Sequence, residues 1–141
     1  MKRYIGTKII EAEPLTLGDY NLYRGWQIPA DEDPAEKGYL VKYSDGYESW
    51  SPLKQFEEAY RRCDNMPFGL AIEAMKKGKK VARIGWNGKN QYIQLATGIS
   101  YKTAAGQIIN CEHEAIGNKA IAFVGTSGVQ MGWLASQADM L

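Results

Sequence analysis

Thiols and imidazoles are scarce in this chain. Two cysteines, Cys63 and Cys111, and one histidine, His113, are spread over 141 residues, and no CxxC occurs. A disulfide framework or a zinc site needs more of both. The cysteines therefore read as free thiols of a reducing compartment, and no metal site is expected. No stretch approaches the ~20 consecutive apolar residues of a membrane span. The N-terminus, Met1-Lys2-Arg3-Tyr4-Ile5-Gly6, is charged but lacks the apolar run of a secretory signal. A soluble, intracellular protein is expected. Neither sign of charge is in excess: 17 Lys and Arg face 16 Asp and Glu, a net charge of +1. A duplex-binding protein usually carries a dense basic face, so no nucleic-acid polymer is expected as partner. A small anionic ligand needs only a few local donors and stays open. Phosphate-loop motifs are missing too: there is no GxxxxGKS/T, and no GxGxxG after a strand.

What is present is enough apolar material, 45% of residues, to pack one ordinary domain or two small ones. The polar stretch Arg61-Arg62-Cys63-Asp64-Asn65 separates two helical patterns and divides the chain into modules 1–62 and 66–141. In the first, Lys8 to Ala12 is a strand candidate, and Thr16 to Pro29 carries no assignable pattern. Asp31 to Glu36 is an acidic exposed loop. Tyr39–Tyr43 and Tyr47–Trp50 form a hairpin around Ser44-Asp45-Gly46, because glycine tolerates the positive φ of such turns. Ser51 is expected to cap a following helix with Pro52 in its first turn, and Leu53, Phe56 and Tyr60 share one face.

The second module opens with a helix capped by Asn65 and carrying the apolar stripe Phe68, Ala71, Ile72 and Met75. Lys76 and Lys77 suit its C-terminal dipole, and Gly78 suits its stop. Lys79 to Trp86 reads as a strand with Ala82, Ile84 and Trp86 on one face. It is followed by an Asn87-Gly88 turn and a returning strand from Gln91 to Ala96. Ala120–Val124 and Val129–Trp133 make a second hairpin around Gly125-Thr126-Ser127-Gly128. Ser136 caps a short final helix beginning at Gln137. The predicted fold class is α+β: a helix on a small antiparallel sheet, preceded by a small α+β module.

Catalysis finds little support in the residues. Cys111-Glu112-His113-Glu114 groups a thiol, an imidazole and two carboxylates. Yet a Cys and a His two residues apart lack nucleophile-to-base geometry by themselves, and no orienting partner can be named. The segment reads as a polar surface, and neither a catalytic residue nor a cofactor is expected. Gly125-Thr126-Ser127-Gly128 can cradle an anion with its amides and hydroxyls, or can simply be a tight turn. Trp86 and Trp133 each lie at the end of a predicted strand beside small polar residues: Asn87 and Gly88 at one, Ser136 and Gln137 at the other. An indole face stacks on a nucleobase, and amide side chains can read a base edge. The same two rings can equally be core anchors.

These residues also carry a resemblance. The segment Phe68-Gly69-Leu70-Ala71-Ile72-Glu73-Ala74-Met75-Lys76-Lys77-Gly78-Lys79-Lys80-Val81-Ala82-Arg83, with Gly85-Trp86-Asn87-Gly88-Lys89 after it, resembles the opening of the second type of Thoeris anti-defence protein. The ending Gly132-Trp133-Leu134-Ala135-Ser136-Gln137-Ala138-Asp139-Met140-Leu141 resembles its closing signature. Together they frame residues 66–141. The resemblance implies a phage sponge, not an enzyme, acting in the host cytoplasm. Such a protein binds glycocyclic ADP-ribose made by Toll/interleukin-receptor-type enzymes and holds it intact. It also implies cyclic dinucleotides of the CBASS type at separate pockets, and a homotetramer with pockets shared between subunits. The family's aromatic pocket positions match Trp86 and Trp133. Asn87, Gln137 and Asp139 come with the same motifs, and Gly88, Ser136, Arg83 and Thr126 complete the expected ligand-binding set. Arg83, Lys79, Lys80 and Lys89 are the nearest cations for a pyrophosphate. Chains of that family usually run on past Asp-Met-Leu through an acidic stretch and another tryptophan, whereas this sequence ends at Leu141. Residues 1–62 resemble an extension found ahead of this domain in some phage proteins. The alternative is a phage structural or accessory module that binds protein partners through a face made of Tyr39, Tyr43, Tyr47 and Trp50.

Overall fold

The computed structural model describes residues 1–86, 89–109 and 119–141. The chain divides into two compact units, Met1–Asn65 and Met66–Leu141. Each has small antiparallel sheets and short helices, the α+β class expected.

The first unit is a three-stranded sheet of order β1-β2-β3, with β1 at Glu11–Pro14, β2 at Gly38–Lys42 and β3 at Glu48–Pro52. The hairpin between β2 and β3 forms as expected, with the Tyr43 N–H donating to Tyr47 O at 2.8 Å. β1 starts three residues later than the Lys8 anticipated. It pairs from Glu11↔Lys42 to Pro14↔Tyr39, and β2 ends at Lys42 where the hairpin turn begins. Residues before Glu11 therefore have no strand beside them. Pro14 is harmless there, because β1 is an edge strand.

Thr16 to Pro29, unassigned from sequence, holds helix α1 at Leu17–Arg24. Thr16 Oγ1 accepts from Asp19 N at 3.2 Å, satisfying one free donor of the first turn. Gly25, at φ +74°, closes the C-terminus by donating its N–H to Asn21 O and Leu22 O. Arg24 ties this helix to β3, donating to Tyr20 Oη at 2.9 Å and to Glu48 O at 2.6 Å. Helix α2, Leu53–Ala59, follows β3 directly. Ser51 does not cap it, because Ser51 and Pro52 still belong to β3, opposite Tyr39 and Gly38. Pro52 itself is the N-cap residue, and no side chain caps the helix. Phe56 of α2 stacks on Tyr39 at 3.9 Å between ring centroids. On the opposite face of β2, Trp50 lies beside Leu40 and donates its indole N–H to Leu15 O at 2.8 Å.

The second unit begins with α3, Phe68–Lys76. Its N-cap is Pro67 rather than Asn65, whose N–H instead closes a turn on Arg62 O at 3.1 Å. The main sheet has order β4-β7-β8: β4 at Tyr92–Thr97, β7 at Lys119–Gly125 and β8 at Gly128–Met131. The β7–β8 hairpin turns at Thr126-Ser127 as expected. A small hairpin not foreseen, β5 at Tyr101–Lys102 and β6 at Ile108–Ile109, forms a separate sheet. The final helix α4, Gln137–Met140, is capped by Ser136.

Lys79 to Trp86 is not a strand. It meets the sheet only at a bridge, Val81↔Ile93, made by two reciprocal hydrogen bonds of 3.0 and 2.8 Å. Beyond it the chain turns away, so Val81 is buried while Ala82 and Ile84 are exposed. The core gathers Ala74 and Met75 of α3, Val81 and Ile93, with Leu95, Ile121, Phe123, Trp86 and Trp133 packed around them.

Gly38 is the tightest point of the first unit. A Cβ there would collide with the Trp50 ring and with Ser51 O. Gly38→Ala is expected to destabilise this unit by about 1–3 kcal/mol, the usual cost of overpacking. Thermal unfolding checks it; an unshifted melting transition would contradict the packing described.

Candidate functional site

Two segments that lie far apart in sequence meet at the end of the β4–β7 sheet. The first is a turn, Arg83-Ile84-Gly85-Trp86, closed by the Trp86 N–H donating to Arg83 O at 3.3 Å. Gly85 sits at its third position with φ +92°, the positive φ that a type II turn requires there. The second segment leaves β8 through Gly132. The N–H groups of Gly132 and Trp133 both donate to Ile121 O, at 3.1 and 2.9 Å. Antiparallel register does the rest. Ile93 lies opposite Phe123 and Leu95 opposite Ile121, so these four side chains share the face turned to α3.

Trp86 lands on this face. Its ring meets Phe123 edge-on at 5.3 Å and Trp133 edge-on at 6.0 Å, with interplanar angles of 62° and 70°. Edge-to-face pairs of this kind are favourable beyond their area. Both indoles are half-buried. They anchor the core and keep part of their surface in solvent, so neither sequence reading alone describes them.

A polar lock also joins the two segments. The Ser136 Oγ accepts from Asp139 N at 3.2 Å. The Asp139 carboxylate accepts in return from Ser136 N at 2.8 Å and from Ser136 Oγ at 2.7 Å, a complete capping box. The other carboxylate oxygen accepts from Arg83 Nη1 at 3.0 Å, across 56 residues of chain. Hydrogen bonds from the Ser136 hydroxyl and backbone hold the Asp139 carboxyl below its ordinary range, and Arg83 acts in the same direction.

The structure thus brings Trp86, Trp133, Arg83, Ser136 and Asp139 together. Gln137 is the first residue of α4 and is exposed. Thr126 stays in the exposed β7–β8 turn, with no side-chain hydrogen bond to the cluster among the described residues. Asn87 and Gly88, and the segment Cys111–Glu114, lie outside the described residues. Of the cations expected to serve a pyrophosphate, Arg83 is engaged with Asp139. Lys80 Nζ lies 4.6 Å from the Tyr92 ring centroid. Tyr92 alternates with Ile93 and so belongs to the sheet face away from Trp86. Lys79 and Lys89 remain exposed.

Phe123 was missed from sequence. Its alternation with Ile121 was visible, but only the pairing with Ile93 reveals that it underlies Trp86. The tyrosine-rich face is also not as expected. Tyr39 is stacked on Phe56 and Trp50 lies on the other side of the sheet, which leaves Tyr47 exposed. Charge is unevenly shared between the units. Residues 66–141 hold eight Lys and Arg against four Asp and Glu, while residues 1–65 hold nine against twelve. The near-neutral total therefore conceals a basic second unit.

Fold and site together define a small α+β domain with an aromatic cluster braced at one end of its sheet. Residues 66–141 match the family model of the Thoeris anti-defense 2-like (Tad2-like) domain, and the chain belongs to that family. A curated relative, Thoeris anti-defense 2 of Bacillus phage SP01, is 37% identical over 81 residues, covering 54% of this chain and 86% of the relative.

A carboxyl whose folded-state pKa is depressed stabilises the fold above its unfolded-state pKa and stops doing so as pH falls through the lower, folded value. The Asp139 lock is therefore expected to hold through the ordinary carboxylate range, about pH 4, and to open only below it. Tryptophan emission followed against pH should show that acid transition in the parent protein and not in Asp139→Asn. The same transition in both would remove Asp139 as its source.

Proposed function

We propose that this protein is a phage anti-defence protein that binds a cyclic nucleotide immune signal of the host and sequesters it uncleaved. The observation that carries the reading is the half-buried indole pair, Trp86 and Trp133, 6.0 Å apart at one end of the sheet. Family membership of residues 66–141 supports the same reading. The ligand proposed first is glycocyclic ADP-ribose from Thoeris Toll/interleukin-receptor-type enzymes. CBASS-type cyclic dinucleotides at separate pockets are proposed second. The protein would act in the host cytoplasm as a homotetramer.

Sequestration asks for affinity rather than reaction chemistry. Stacking on an aromatic ring contributes ~1–3 kcal/mol per base, and the indole pair would supply that much for the single base of the ligand proposed first. A micromolar complex corresponds to about −8 kcal/mol, leaving the remainder to hydrogen bonds and charge. The excess of Lys and Arg in residues 66–141 favours the approach of an anionic ligand. Lys80 and Lys89 are the exposed lysines nearest in sequence to the indole turn, with Lys79 beside them and Lys80 held over the Tyr92 ring.

Trp86→Ala and Trp133→Ala are each expected to weaken glycocyclic ADP-ribose binding by ~1–3 kcal/mol, measured by calorimetry on variants that still melt cooperatively. An unchanged affinity in a folded variant would take that ring out of the ligand site. Heating the loaded protein to denaturation should return the nucleotide intact by chromatography. Recovery of a ring-opened product would instead make the protein an enzyme.

A further inference from the structure

We propose that Arg83 and Asp139 are positioning residues, whose ion pair clasps the turn carrying Trp86 to the segment carrying Trp133 and so sets the spacing and angle of the two indoles. The inference rests on the preceding reading only where it speaks of ligand; the clasp itself concerns the indoles.

Each end of the pair is fixed to one indole by short, closed pieces of backbone. Arg83 and Trp86 are the two ends of a hydrogen-bonded turn held by Gly85 at positive φ. Asp139 is the third residue of α4, oriented by Ser136, three residues after the sheet-anchored Trp133. Between the Val81 bridge and Trp86 the chain is exposed, with Ile84 at 79% of its free surface. The Arg83 side chain and the Trp86 ring attach it to the rest of the unit, across to α4 and onto the sheet.

Both oxygens of the Asp139 carboxylate are engaged within the domain. One accepts from Arg83, and the other accepts twice from Ser136. With three of its roughly four acceptor positions filled from within the domain, the carboxylate orients the residues around it. Arg83 keeps 47% of its side-chain surface exposed, and such pairs add little to fold stability. Loss of the pair should therefore be felt in the geometry of the indoles far more than in the melting temperature.

The test is a double-mutant cycle of Arg83→Gln, Asp139→Asn and the combined variant, with Arg83→Lys alongside, on the full chain. Arg83→Gln leaves the capping box intact, so the cycle has an arm in which α4 keeps its cap. Two signals are read. Near-ultraviolet circular dichroism of the free protein reports the coupled indoles. Association and dissociation rates with glycocyclic ADP-ribose report their grip. Both single variants should show the same altered indole band and release the ligand about 10-fold faster, with the double variant no worse than either. Arg83→Lys should restore part of both signals. An indole band unchanged in both single variants overturns the clasp, whether or not the ligand binds the parent protein. Near-normal binding in Asp139→Asn with weakened binding in Arg83→Gln also overturns it, because Arg83 would then touch the ligand directly. Absence of binding in the parent protein with an altered band in the variants would sink the capture reading alone and leave the clasp standing.

Discussion

The second unit is organised around one reciprocal bridge, two hydrogen bonds between Val81 and Ile93. Between α3 and Trp86 it is the point at which the chain bonds the sheet through its backbone. Had pairing continued, Ala82 would have faced Tyr92, the residues after it would have extended a hairpin beyond the start of β4, and Trp86 would have been a strand residue like any other. Because pairing stops after one residue, the chain is free to turn at Gly85 and drop the indole onto Phe123. The placement of Trp86 at the site follows from that early departure from the sheet.

A segment that leaves a sheet early needs other attachments, and two are found. One is apolar: the Trp86 ring wedged edge-on between Phe123 and Trp133. The other is polar: Arg83 held by a carboxylate that is itself fixed by a helix cap. The division of labour has a physical logic. Ring contacts tolerate a range of angles, whereas a hydrogen-bonded ion pair restricts them. Together they define a geometry that neither would hold alone. A capping box, normally a local device for starting a helix, is here linked to a turn 56 residues away.

The first unit obeys a different economy. Its sheet is covered by aromatic contacts, Phe56 on Tyr39 on one side and Trp50 near Leu40 on the other. Gly38 leaves room for the Trp50 ring. Arg24 joins α1 to β3 through a side-chain and a backbone oxygen, with its guanidinium 5.4 Å from the Tyr20 ring and 5.6 Å from that of Trp26. These contacts engage Tyr39 and Trp50 of the four residues that, in sequence, suggested an adhesive face, while Tyr43 and Tyr47 stack on each other at 5.7 Å.

Local signals were legible in the residues alone: the Ser44-Asp45-Gly46 turn, the Ser136 cap, the β7–β8 hairpin and the family pattern in residues 66–141. Each depends on a few neighbouring positions, whose backbone preferences act without distant help. Where the signals were local but weak, as at Thr16 and Gly25 around α1, tyrosines and an internal glycine obscured the helix. Which strand β4 chooses, where pairing stops after Val81, and which carboxylate Arg83 meets were decided only by tertiary structure. Those outcomes depend on register and on burial between residues tens of positions apart, and no local preference encodes a partner at that distance.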